Sequence, residues 1–128
     1  MGNEEFIHRF ETDTLPGGFH HSDHVRLAFA YLSENGPLEA LEKFSAALQR
    51  FAEARGKSQL YHATITHAYV FLIRERMART GAVEWDDFAR QNADLLRWKP
   101  GILARYYHEA TLQSDLARAI FVFPDKTC

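Results

Sequence analysis

Apolar side chains recur every three or four residues along most of this chain. That spacing is typical of amphipathic helices, whereas a strand would alternate apolar and polar positions. Between residues 37 and 55, for example, Leu41, Phe44, Leu48 and Phe51 form one apolar stripe. The pattern predicts main helices at about residues 3–12, 22–34, 37–55, 58–79 and 84–96.

Short stretches rich in glycine and proline separate these helices. "TLPGG" ends the first and "ENGP" ends the second, because proline disfavours helix in the residue before it. Gly56, Gly81 and the pair Pro100-Gly101 are the other breaks. Beyond the last break, two short helices are expected at about residues 102–108 and 114–122, the second capped by Ser114, although "FVFPD" could instead be a brief extended tail.

No strand pattern, internal repeat or interdomain linker accompanies these helices. The expected fold is all-α: a single domain over residues 1–128, built as a bundle of about five main helices with short, irregular terminal helices. A chain of 128 residues is long enough to bury a core, and a hydrophobic fraction of 46% is typical of a folded globular protein.

Charge and composition narrow the classes of function. The formal net charge is −2 and no stretch concentrates Lys and Arg, so no nucleic-acid partner is expected. No apolar run reaches the roughly 18 residues of a membrane span, and the acidic N-terminus lacks the apolar core of a signal peptide. The only cysteine, Cys128, can form no intramolecular disulfide. We expect a cytoplasmic protein that binds no membrane; a homodimer formed through an exposed helix face is compatible with its size.

Three of the seven histidines lie in "FHHSDH", at the start of the second predicted helix. His21 and His24 would share one face, since positions i and i+3 are roughly 60° apart around a helix. His20 and His24 are neighbours as well, at i and i+4. Polar side chains here can instead serve the exposed backbone N–H groups of the helix start, a role that suits Ser22 and Asp23.

The stretch "YHATITH" supplies a third histidine, either His62 or His67. These two are five residues apart, roughly 140° around a helix, so they are not expected to face the same site. His62 shares its stripe with Thr66 and Tyr69, and this stripe is more polar than a core requires. His62 is therefore the better candidate.

The first interpretation of these histidines is a metal site. Three neutral imidazoles with an open fourth position are a ligand set of catalytic zinc, and imidazole also suits nickel and iron. His21, His24 and His62 would then bind a divalent transition metal and could act on a small molecule, although the motif lacks the glutamate of HExxH. The carboxylates that could complete or orient the ligand set are Glu11, Asp23 and Glu109.

The second interpretation is a metal-free helical module that binds a small molecule or a protein. Its histidines would line a polar pocket or only cap a helix, and His24 would stay neutral because the helix dipole disfavours an imidazolium in the first turn. An arginine in such a pocket could bind a carboxylate or phosphate. The candidate pocket residues are Tyr61, Thr64, Thr66, Tyr69, Arg105 and Tyr106.

Three segments, "FHHSDHVRLAFAYL", "YHATITHAYVFLI" and "LLRWKPGILARYYHEATL", resemble a family of small uncharacterised bacterial all-helical proteins. Its motifs are aromatic-x-His-x-x-His-Val/Leu and Tyr-His-x-Thr-x-Thr, and the resemblance covers nearly the whole chain. The matching positions are Phe19, His21, His24, Tyr61, His62, Thr64 and Thr66. The resemblance implies that His21, His24 and His62 form one site, and it implies no activity. Many members have Glu where Ala63 stands here, so chemistry that needs this Glu is not expected.

Overall fold

The computed structural model describes residues 1–98 and 101–126. Within these ranges the regular structure is entirely helical, which confirms the all-α prediction. Five main α-helices are followed by two short ones: α1 Asn3–Glu11, α2 His21–Glu34, α3 Pro37–Ala54, α4 Ala63–Thr80, α5 Trp85–Gln91, α6 Glu109–Leu112 and α7 Asp115–Ala119. Short 3-10 helices lie at Ser58–Leu60, Ala93–Leu96 and Ile102–Arg105. The predicted break at Pro100 and the residue Cys128 lie outside the described residues.

Helix α2 lies at the centre of the bundle and packs against α1, α3 and α4. The sequence predicts a single apolar stripe for α2, but its C-terminal half is buried on nearly every side. Leu27, Phe29 and Ala30 are fully buried, and Tyr31 is almost so. A helix that is surrounded on several sides needs apolar residues all round, whereas the first turn of α2 is only partly buried, with Ser22 exposed.

The predicted helix at 58–79 is wrong at its start. Ser58–Leu60 form a 3-10 turn, and α4 begins only at Ala63. Tyr61 and His62 have extended backbones, with ψ angles of 135° and 109°. The reason is that His62 caps α4: its ring nitrogen Nδ1 accepts a hydrogen bond from the Ile65 N–H.

The predicted helix at 84–96 also divides, into α5 and the 3-10 helix Ala93–Leu96. The break lies at Asn92, which is buried and has a ψ angle of 46°. Its side-chain amide donates to the Phe88 carbonyl oxygen and its side-chain oxygen accepts from Arg76. Because these bonds satisfy the helix end, the chain can turn there without leaving a buried polar group unpaired.

The helices of the C-terminal part are shorter and more irregular than the sequence predicts. Residues 102–108 contain only the 3-10 helix Ile102–Arg105, α6 was not expected, and α7 ends at Ala119. The predicted cap is confirmed, because Ser114 Oγ accepts from the Ala117 N–H. In the described part of the chain, no helix is both long enough and apolar enough to cross a membrane.

Candidate functional site

A cavity of about 500 Å³ lies among α2, α3 and the first half of α4. Its volume falls within the range of about 300–1,000 Å³ that is usual for small-molecule sites. Most of the wall is apolar, and the apolar side chains come chiefly from α3 and the first turns of α2 and α4. They include Phe19, Val25, Phe44, Leu48, Phe51 and Ile65.

His24 presents its imidazole to this cavity from the first turn of α2. The Phe19 ring packs against it, with the two ring centroids 4.3 Å apart. The pKa of His24 is lowered to about 4, chiefly by burial and to a lesser extent by the nearby His21, while Asp23 opposes the change. Its ring nitrogens make no hydrogen bond with any described residue, so a neutral imidazole is left available to a ligand.

His21 lines the same cavity one turn earlier, and its ring centroid is 6.5 Å from that of His24. Its Nε2 donates to the Leu95 carbonyl oxygen at 3.0 Å. Burial lowers the pKa of His21, and the bond to Leu95 opposes this change. The His21 ring also packs near two aromatic side chains: its centroid is 5.2 Å from that of the Tyr69 ring and 5.1 Å from that of the Trp98 ring. Half of its hydrogen-bonding capacity is therefore used to hold the imidazole in place.

His62 also reaches the cavity wall, but both of its ring nitrogens are engaged. Nδ1 accepts from the Ile65 N–H at 3.1 Å, and Nε2 donates to the Leu112 carbonyl oxygen at 2.6 Å. A carbonyl can only accept, so the ring is the neutral tautomer with its proton on Nε2. Burial lowers the pKa of His62, which favours this neutral form. His62 therefore caps α4 and ties it to α6.

The three imidazoles share one cavity wall, but in this arrangement they do not fit a three-histidine metal site. A metal would have to displace a hydrogen bond of His62. Two imidazoles on one tetrahedral zinc, with bonds of about 2.0–2.1 Å, would have centroids roughly 5 Å apart, closer than His21 and His24 are. Within residues 1–98 and 101–126, no three His, Cys, Asp or Glu side chains are grouped so as to hold a metal ion. Metal binding stays a prediction.

The predicted carboxylate partners lie away from the cavity. Glu11 accepts from the Tyr31 hydroxyl at 2.6 Å, on the far side of α2. Asp23 accepts from the His20 backbone N–H at 2.9 Å and thus serves the helix start, as the alternative interpretation expects. Glu109 is exposed at the start of α6 and bonds to Gln113.

Three of the predicted pocket residues, Tyr61, Thr66 and Tyr69, do line the cavity. Thr66 Oγ1 is already used, because it donates to the His62 carbonyl oxygen at 2.8 Å. Burial raises the pKa of Tyr69 to about 12, and its hydroxyl has no hydrogen-bond partner among the described residues. Tyr69 is therefore a second polar group that is available inside the cavity.

The other three predicted pocket residues lie elsewhere. Thr64 is buried on the face of α4 that packs against residues 120–122. Its Oγ1 donates to the Ile120 carbonyl oxygen and accepts from the Val122 N–H. Arg105 is exposed, with its guanidinium 3.9 Å from Asp94. Tyr106 is 38% exposed. Arg105 and Tyr106 lie in or just after the irregular 3-10 helix Ile102–Arg105, and Thr64 faces residues 120–122, so none of the three placements could be read from periodicity.

Sequence reasoning missed the contribution of α3 and of the segment that follows it. The stripe of Phe44, Leu48 and Phe51 was correctly predicted as apolar, but periodicity cannot separate a side chain in a packed core from one on a cavity wall. Arg55 and Lys57, which also line the cavity, belong to a short loop with no motif. No signal in the sequence could have found them.

No protein-family model, curated protein or solved structure matches this chain.

Proposed function

We propose that this protein binds a small, largely apolar organic molecule in the cavity among α2, α3 and α4. His24 and Tyr69 would form hydrogen bonds with a polar group of that molecule, and the aromatic and aliphatic wall would enclose the rest. The observation that carries the proposal is the pairing of an apolar cavity of about 500 Å³ with the partly buried imidazole of His24, which makes no hydrogen bond to a described residue.

The energetics favour occupancy of such a cavity. Interiors are normally packed as densely as organic crystals, and a void of this size forfeits contacts on all its walls. A partly buried imidazole that makes no hydrogen bond to a described residue can form one with a ligand. A mainly apolar wall with a few convergent polar groups is the usual composition of a ligand pocket.

Several finer properties are proposals of the same kind. We infer a cytoplasmic bacterial protein of the family that the His and Tyr-His-x-Thr-x-Thr motifs suggest, and the single cysteine is in keeping with a reducing compartment. The net charge of −2 and the dispersed Lys and Arg residues support the absence of a nucleic-acid partner. The chain is proposed as a binding protein, with catalysis and self-association left to experiment.

A neutral naphthylamine probe, whose fluorescence rises in apolar surroundings, tests the proposal. We expect saturable binding at one site per chain. Ala52 lines the cavity on α3, so Ala52→Phe should fill part of it and weaken binding about tenfold or more. Ala46→Phe is the matched control, because Ala46 is equally half-buried on α3 but faces a different groove. Equal binding by both variants, or no saturable binding at all, would contradict the proposal.

A chelator separates this proposal from the metal-based alternative. If His21, His24 and His62 held a structural or catalytic metal, exhaustive treatment with a chelator would lower the melting temperature and remove bound metal. We expect neither the melting temperature nor probe binding to change, because the ring nitrogens of His62 are bonded to Ile65 and Leu112. Near-stoichiometric metal that is lost in His24→Asn would restore the metal hypothesis.

A further inference from the structure

The charges around the cavity are all of one sign. Two cationic side chains, Arg55 and Lys57, line it, and both are exposed. No Asp or Glu belongs to the described wall. A rim whose cations outnumber the carboxylates that pair with them attracts an anion and repels a cation.

Arg55 and Lys57 differ in how freely their charges can pair with a ligand. The Arg55 guanidinium lies 3.6 Å from the centroid of the Phe51 ring and is paired with Asp13 at 2.8 Å. Phe51 is itself part of the cavity wall, so this charge is held against the rim. The Lys57 ammonium makes no ion pair or hydrogen bond with any described residue, which leaves one uncompensated positive charge at the rim.

The interior of the cavity is mainly apolar, in contrast to its cationic rim. Phe44 and Leu48 are buried apolar side chains of the wall, and burial lowers the pKa values of His21 and His24, which favours their neutral forms. At about 30 Å³ for each water-sized group, 500 Å³ holds roughly fifteen such groups. This room suits a chain or ring system of about ten carbons with one polar end.

From this arrangement we propose that the ligand is an amphipathic monocarboxylate. Its carboxylate lies at the rim beside Lys57 and Arg55 and its apolar body extends along Phe44 and Leu48. A second, uncharged polar group on that body can bond to His24 and Tyr69. The inference rests on the proposed function, since it names the class of molecule that the same cavity binds. Medium-chain fatty acids and aromatic carboxylates share this chemistry.

Three compounds with ten-carbon chains and different head groups test whether the ligand is a carboxylate: decanoate, decanol and decyltrimethylammonium. Isothermal titration calorimetry of the full chain should give the order decanoate, decanol, then the cation, from tightest to weakest. The advantage of decanoate over decanol should be about fivefold or more at low salt and should shrink at high salt, because exposed charges are screened. A cation that binds as tightly as decanoate would overturn the inference.

Charge reversal at the rim tests the placement of the carboxylate. Lys57→Glu should weaken decanoate binding about fivefold or more and change decanol binding by less than about twofold, since only one of these ligands is charged. Arg74→Glu is the matched control, because Arg74 is exposed on α4 and lies outside the cavity wall. Lys57→Met, which keeps the length of the side chain, should give a smaller loss than Lys57→Glu.

The outcomes separate the two proposals. If decanol and decanoate bind equally well and Lys57→Glu affects neither, the carboxylate inference fails while the apolar pocket stands. If His24→Leu abolishes the preference for decanoate and Lys57→Glu does not, the carboxylate lies at His24 and the rim placement is wrong. If neither the three compounds nor the neutral naphthylamine probe binds, both the carboxylate inference and the proposed function fail.

Discussion

A single imidazole, that of His62, performs two structural tasks at once. Its Nδ1 caps α4 at the Ile65 N–H, and its Nε2 binds the carbonyl oxygen of Leu112, fifty residues away in sequence. Helix caps are usually Ser, Thr, Asp or Asn, whose short side chains cannot also reach a second element. The histidine that sequence spacing selects as a metal ligand therefore has a sufficient structural reason to be there.

His62→Ala should lower the free energy of unfolding by about 1–3 kcal/mol, because it removes a cap and leaves a carbonyl oxygen without its donor. Urea denaturation measures the loss. His62→Asn should recover part of it, since Asn caps helices well but cannot reach Leu112. His67→Ala is the control: His67 Nδ1 bonds only to Ala63 within α4. Equal losses for His62→Ala and His67→Ala would contradict the capping role.

Burial of His24 makes stability depend on pH. The unfolded chain binds a proton near pH 6.5, whereas in the folded chain burial lowers the pKa of His24 to about 4. The unfolded state thus binds more protons between these values, so the stability present above about pH 6.5 is lost as the pH falls towards 4. The lowered pKa values of His21 and His62 act in the same direction.

His24→Asn should flatten this dependence. The difference between 6.5 and about 4 corresponds to at most about 3 kcal/mol, so the variant should lose correspondingly less stability than the parent between pH 7 and pH 4. Urea unfolding at several pH values provides the measurement. His8→Asn, at an exposed position of α1, should leave the pH dependence as it is. A parallel pH profile for His24→Asn would show that His24 is not the group responsible.

At the scale of elements, α4 organises the C-terminal segment as well as the cavity. Thr64 Oγ1 donates to the Ile120 carbonyl oxygen at 2.8 Å and accepts from the Val122 N–H at 3.1 Å. The Tyr107 hydroxyl then donates to the Val122 carbonyl oxygen at 2.6 Å. Residues 120–122 belong to no helix, so side chains replace the backbone partners that regular structure would supply.

Thr64→Val should detach this segment, because valine has nearly the same shape but cannot donate or accept. We expect a loss of about 1–3 kcal/mol in the free energy of unfolding and faster hydrogen exchange at the Val122 amide. Thr80→Val is the matched control, since Thr80 Oγ1 donates to the Arg76 carbonyl oxygen and accepts from the Ala82 N–H, both at the exposed end of α4 and away from residues 120–122. Unchanged exchange at Val122 in Thr64→Val would contradict the tethering role.

Helix ends illustrate what local pattern can and cannot predict. The starts of α2 and α3 follow from the breaks "TLPGG" and "ENGP", which act through neighbouring residues alone. At the start of α4 and at Asn92, local caps act together with partners farther along the chain, Leu112 for His62 and Arg76 for Asn92. Continuous periodicity through residues 58–62 and 92–96 therefore predicted helices that these local and long-range hydrogen bonds interrupt.

For the whole molecule, the cavity couples ligand binding to stability. A ligand that binds only the folded chain stabilises it by about 2.7 kcal/mol at a hundred times its dissociation constant. We expect saturating decanol or decanoate to raise the melting temperature by about 5–10 °C in a domain of this size. Ala52→Phe should show a much smaller rise. A rise of equal size in this variant would place the bound molecule outside the cavity.

Periodicity, caps and composition by themselves determined the all-α class and the five main helices, because those signals act within a few residues. The grouping of His21, His24 and His62 was an implication of the family resemblance and not of spacing. Only the tertiary structure decided that α2, α3 and α4 enclose an apolar cavity, that His24 faces it without a partner and that His62 is bonded on both sides. The physical reason is that cavities and ring tautomers depend on how distant segments pack, and residue spacing carries no information about the volume left between helices.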